Sequence, residues 1–149
     1  MPLTAGTRLG AYAVVESFGK GDMGAVYNAR DTKFDGDAFL GKRIPFLDAA
    51  NGAGGIALPE LLQQAHDTIR NVDTIITGHS MQATWANLNE WAAINRDFLE
   101  MVRASRLAGR TVDEMASAWT MPTKYVGYGP PNAAGVTRNI QTIVDKFED

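Results

Sequence analysis

An apolar, β-branched run, Asp73 to Ser80 (DTIITGHS), ends abruptly in Gly-His-Ser. A buried strand with this ending delivers one imidazole, that of His79, to the rim of a sheet. Gly78 lets the backbone turn beside it. An imidazole at a strand end is suited to metal ligation when a neighbouring polar group orients it. The same eight residues also read as an ordinary polar strand-to-helix loop. Ser80 beside His79 is no nucleophile–base pair, because sequence neighbours rarely align for attack and no third orienting group is identifiable. A second pattern, Gly19-x-Gly21-x-x-Gly24, lies between the apolar runs Ala11 to Phe18 and Ala25 to Ala29. Glycines so placed either cradle phosphates with backbone N–H groups or simply make a flexible hairpin turn, and the spacing alone leaves both open.

Other titratable residues have structural readings. His66, the only other histidine, lies within a helical pattern. Asp113 and Glu114 are placed to cap a helix and complement its dipole. Asp35 and Asp37 flank Gly36, a combination common in turns. With no cysteine in the chain, disulfides, thiolate zinc sites and a cysteine nucleophile are excluded.

The elements that must position these groups follow from periodicity and punctuation. Two strands make the N-terminal hairpin, and a short third strand is expected over Ala38 to Leu40. Asn51 to Gly55 is a Gly-rich loop. A helix is predicted from Pro59 to about Arg70, with Leu61, Leu62, Ala65 and Ile69 inward and Pro59 in its first turn. The strand Thr74 to Thr77 comes next. A long helix from about Trp85 to Leu107 is predicted, with Thr84 as N-cap and Gly109 past its end. Its apolar face is Leu88, Trp91, Ile94, Phe98, Met101 and Val102. Thr111-x-x-Glu114 reads as a capping box opening a short helix to about Trp119, which Pro122 stops. Tyr125 to Pro131 is a Gly/Pro/Tyr loop. A final helix is expected from about Ala134 to Phe147, with Val136, Ile140, Ile143, Val144 and Phe147 on one side. Strands followed by strand–helix alternation predict an α/β layered fold.

Composition sets outer limits. The 149 residues are 45% hydrophobic and 21% charged, with a net charge of −3, as in ordinary globular proteins. The longest basic cluster is Lys42-Arg43, so no nucleic-acid footprint is present. No apolar run reaches the roughly 18 residues that span a bilayer. No basic segment followed by an apolar core opens the chain, and a cytoplasmic location is expected.

Two resemblances organise these features. Residues 34 to 149 resemble the C-terminal half of a metallo-β-lactamase-fold hydrolase, through FDGDAF, IPFLDAANGAGGIALPELLQQAHDTI, VDTIITGHS and TWANLNEWAAINRDFLEMVRASRLAGRTVDEMA, in the family's order. That likeness implies half of an αββα sandwich. It also implies that Asp37, in Gly36-Asp37, bridges two metals and that His79, in Gly78-His79, ligates one of them. The metal would be zinc or another divalent ion. In a complete site, metal-bound hydroxide would attack an ester, thioester or lactam carbonyl. The family's His-x-His-x-Asp-His signature is absent, and His66 matches a non-ligand position. At most two ligands remain, against the three that catalytic zinc usually takes from protein, so no catalytic side chain is assigned.

Residues 1 to 33 resemble the Gly-rich hairpin of bacterial serine/threonine protein kinases, in the context Gly-Met-Gly-x-Val-Tyr-x-Ala-Arg-Asp. The likeness implies nucleotide contact at Gly19, Gly21 and Gly24, with Lys42 as a phosphate contact. The Val-Ala-x-Lys context of the kinase lysine is missing, as are His-Arg-Asp, Asp-Phe-Gly and Ala-Pro-Glu motifs. The expected chain is therefore a kinase-like hairpin joined to half of a metallo-hydrolase. The uncovered sheet face of such a half favours a homodimer, which would bring two copies of Asp37 and His79 together. A metal-dependent or degenerate hydrolase, a nucleotide-binding fragment and a non-catalytic assembly protein remain the three functional classes.

Overall fold

A computed structural model describes Gly6, Arg8–Leu9, Tyr12–Gly21, Gly24–Asp31, Lys42 to Ile44, Leu47, and residues 55–75, 82–129 and 132–148; the first three strands are described as backbone. The chain is mixed α and β, and its described part from residue 55 onward is mainly helical.

Three antiparallel strands, β1 (Arg8–Leu9), β2 (Tyr12–Gly21) and β3 (Gly24–Asp31), form the N-terminal sheet in the order β1-β2-β3. The expected hairpin is β2–β3, closed by Gly21 opposite Gly24. The pairing slips between Val14 and Glu16 and again between Ser17 and Gly19. Each slip sets one extra β2 residue against β3. Such bulges increase local twist and exchange the two faces of the strand.

Helix α1 (Leu58–Thr68) carries Pro59 within its first turn, where its missing N–H leaves no bond unmade. Asn71, at φ 60°, turns the chain after the helix, a left-handed conformation that Asn tolerates. Strand β4 (Thr74–Ile75) then pairs antiparallel with β5 (Ala83–Thr84), with Thr74 opposite Thr84 and Ile75 opposite Ala83. The β4–β5 partnership departs from the expected strand–helix alternation. Among the described residues, the helices pack on one another rather than as a layer over a sheet.

Helix α2 (Trp85–Leu107) has the expected bounds. The Asn87 N–H donates to Thr84 Oγ1 at 3.3 Å, and the Thr84 N–H donates to Asn87 Oδ1 at 3.0 Å, so both orphan donors are satisfied. At the other end Gly109, at φ 71°, lets its own N–H reach the Arg106 carbonyl and lets the Arg110 N–H reach that of Ser105. Helix α3 (Val112–Ala118) opens on the expected capping box of Thr111 and Glu114. Helix α4 (Ala133–Asp145) is capped by Asn132, whose side chain accepts from the Gly135 N–H.

The core runs along α2. Trp91, Phe98, Leu99 and Val102 are buried in one cluster with Leu62 of α1, Met115 of α3, and Val136, Ile140 and Ile143 of α4, and Ile94 is also fully buried. The buried stripe is wider than the sequence pattern suggests, because Ala92 and Asn95 lie within it. Lys42 to Ile44 and Leu47 lie against the helices, and Ile44 and Leu47 join the same core. Two long-range bonds hold these residues in place. The Trp91 Nε1–H donates to the Arg43 carbonyl at 2.7 Å, and the Leu47 N–H donates to the buried Asn139 Oδ1 at 3.1 Å.

Asn139→Leu leaves the Leu47 N–H buried without an acceptor, which costs about 1–3 kcal/mol, read as a lower urea midpoint at unchanged slope. Gly55 sits at φ +75°, and a Cβ there would lie 2.5 Å from Leu47 Cδ1 and 3.0 Å from Ile143 Cγ1. Gly55→Ala therefore combines backbone strain with overpacking and lowers stability by about 1–3 kcal/mol in the same titration.

Candidate functional site

Gly19 and Gly21 lie at the end of β2, and Gly24 begins β3. The register brings Gly21 and Gly24 face to face and sets Gly19 opposite Val26, so the three glycines share one end of the hairpin. Lys42 makes three contacts of its own. Its Nζ donates to the Val126 carbonyl at 3.1 Å, lies 3.9 Å from Glu90 Oε2, and sits 5.5 Å above the Tyr128 ring. A phosphate binding there would compete with the Glu90 carboxylate and the Val126 carbonyl.

Asp37 and His79 fall outside the described residues, as do Ser80 and the strand expected over 38–40. In sequence, His79 stands in the connection between β4 and β5. Among the described residues, no group of three or more His, Cys, Asp or Glu side chains could hold a metal ion. His66 has a packing role on α1. Its ring stacks on Trp85, with centroids 5.6 Å apart and planes 15° apart, and its Nδ1 lies 3.1 Å from Asp67 Oδ1. That bond, followed by the one from Gln63, lowers the Asp67 carboxyl below its ordinary value.

The most organised polar cluster is one that sequence reasoning missed. Two carboxylates on α2, Glu90 and Asp97, stand seven residues apart and so two turns apart on one face. Asp97 Oδ2 accepts from Tyr125 Oη and from Lys124 Nζ, each at 2.7 Å. Glu90 Oε2 faces Lys42 and accepts from Asn87 Nδ2 at 3.4 Å. Tyr125 and Tyr128 meet edge to face at 6.1 Å. Lysine, tyrosine and carboxylate therefore recur twice along the helix. The visible signals were the i, i+7 acids and the Tyr-x-x-Tyr spacing in a Gly/Pro loop, but only their coincidence in space makes a cluster.

Its electrostatics favour binding the loop over proton transfer. Burial raises the Asp97 carboxyl, but the bonds from Lys124 and Tyr125 outweigh it and leave the group below its ordinary 3.8. Burial first, and Asp97 second, raise the Tyr125 phenol. Burial and the Glu90 charge raise Tyr128 strongly. Both phenols stay protonated far above neutrality, and Tyr125 acts as a donor rather than a base. The Tyr128 hydroxyl is itself buried and makes no well-formed hydrogen bond.

No protein-family model matches the chain, and neither a curated protein nor a solved structure matches it. Among the described residues, no helix is long and apolar enough to cross a membrane.

The two tyrosines separate by mutation. Tyr125→Phe removes a charge-assisted bond and costs about 1.5–3 kcal/mol at neutral pH. Tyr128→Phe removes an unpaired hydroxyl and costs less than about 1 kcal/mol. Because the folded state holds both phenolic protons more tightly than the unfolded chain does, wild-type stability falls as pH rises beyond about 10. Tyr128→Phe flattens that alkaline limb in denaturant titrations.

Proposed function

We propose that residues 34–149 are a catalytically degenerate relative of metallo-β-lactamase-fold hydrolases, with residual metal affinity in Asp37 and His79. The observation that carries this reading is the order of elements around His79. A Pro-led helix precedes the DTIITGHS segment, and a Thr-capped long helix follows it, ahead of a short helix opened by Thr111 and Glu114. The resembling motifs run in that order. One carboxylate and one imidazole suit a borderline ion such as zinc, but two donors fall short of the three that a catalytic site takes from protein. A single copy therefore does not fit a catalytic metal. Two copies in a homodimer would supply four donors, which is the assembly this reading favours.

A nucleotide-binding role for Gly19, Gly21 and Gly24 is the second reading. It is favoured by the hairpin register that brings the glycines together at one end.

Zinc titration of metal-free protein, with mass determined by light scattering, tests the first reading. The expected result is about one zinc per two chains, binding that is lost in both Asp37→Ala and His79→Ala, and no esterase activity. Equal zinc binding by wild type and His79→Ala removes the metal reading, and hydrolysis by a zinc-loaded monomer removes the degeneracy. ATP retention in equilibrium dialysis, abolished by Gly21→Val, would establish the second reading instead.

A further inference from the structure

Residues 119–129 contain no helix or strand, and little of their own backbone holds them. One internal bond is formed, from the Tyr125 N–H to the Pro122 carbonyl at 3.0 Å. Gly127 turns at φ +84°, and Val126 is 75% exposed. A segment so poorly self-supported stays in place only through what it touches. At its start Trp119 meets Phe98 edge-on at 4.9 Å. Met121 and Tyr128 also pack partly against the core and Tyr125 is buried, while the polar hold converges on the two α2 carboxylates.

We propose that residues 119–129 form a strap latched to α2 by Asp97 and Glu90, which opens as a unit, ahead of the helices, when the Asp97 carboxylate loses its charge. Asp97 is met by Lys124 and Tyr125 from the strap and by Arg96 on its own helix. Glu90 is met by Lys42, by Tyr128 from the strap, and by the neutral Asn87 amide on its own helix. Among the described residues, neither carboxylate faces a second acid that would share its proton.

The two halves of the latch are linked. Lys42 Nζ holds the Val126 carbonyl and the Tyr128 face while it neutralises Glu90. Tyr125 belongs to the Asp97 half, yet its ring touches Tyr128 of the Glu90 half. Loss of the Asp97 charge therefore loosens Lys124 and Tyr125 directly, and Tyr128 through its contact with the Tyr125 ring. Opening also removes the Val126 and Tyr128 contacts of Lys42, which keeps its Glu90 partner on α2. The latched state favours the ionised form of Asp97, so its contribution is complete above the ordinary carboxylate value and is lost as pH falls below it. Both ion pairs are partly exposed, so each half contributes modestly and the latch depends on having two.

Hydrogen exchange followed by mass spectrometry on the full chain at pH 7 tests the strap. Asp97→Asn removes the charge, and Lys124→Met removes its partner while leaving the carboxylate in place. In both variants the peptide carrying the Tyr125 amide, whose N–H is bonded inside the strap, should exchange that amide about tenfold faster than in wild type, while peptides covering 91–102 keep their protection. Wild type at pH 3.5, corrected for intrinsic exchange, should show a smaller opening of the same segment, because Asp97 gives up its charge only as pH falls through its lowered value. Equal loss of protection in the strap and in α2 would mean that the segment belongs to the cooperative core, and unchanged strap exchange in both variants would mean that the carboxylates do not hold it. Either result overturns the proposal.

Discussion

The apolar face of α2 is the constraint on which the described fold depends. Trp91 and Phe98 lie two turns apart on it, and each contributes more buried area than an aliphatic residue could. Leu62 of α1 packs on the same core as Ile140 and Ile143 of α4. A helix of this length spans about 34 Å, long enough to join elements that scarcely touch one another. Its polar groups work at the margins of the same face. The Trp91 indole fixes the Arg43 carbonyl, and Glu90 and Asp97 hold the chain between α3 and α4.

Residue type and spacing revealed the helices because their ends are chemically marked. Thr84 with Asn87, Thr111 with Glu114, and Gly109 at a positive φ satisfy orphan backbone groups within a few residues, so the information is local. The hairpin was legible for the same reason, in alternating apolar runs that flank glycines. What the sequence concealed is pairing across distance. The β4–β5 ladder joins two-residue strands too short to show a period. Asn139 looks like an ordinary polar helix residue until Leu47 is known to lie against it. Glu90 and Asp97 read as solvated charges on the edge of an amphipathic helix, and only the path of the 119–129 loop gives them partners.

The candidate chemistry divides along the same line. Asp37 and His79 rest on motif resemblance and fall outside the described residues. Gly19, Gly21 and Gly24 share one end of a hairpin, as their spacing required. Lys42 illustrates how weakly a cation's position in sequence specifies its role. Its partners are a carboxylate, a carbonyl and an aromatic face contributed by residues 90, 126 and 128, and no local pattern announces them.

The bonds of Lys42 and Leu47 have a consequence for the order in which the molecule forms. The bond between Leu47 and Asn139 closes 92 residues of chain, and that between Lys42 and Val126 closes 84. Capped helices form from local contacts in microseconds or less, whereas contacts of this separation wait on loop closure. During synthesis Leu47 leaves the ribosome well before α4 exists, at translation rates of about 5–20 residues per second. For several seconds Ile44 and Leu47 have no completed surface to bury against. Helix α4 therefore finishes the burial of a segment made well before it, and nascent chains halted before α4 would present that apolar stretch to chaperones.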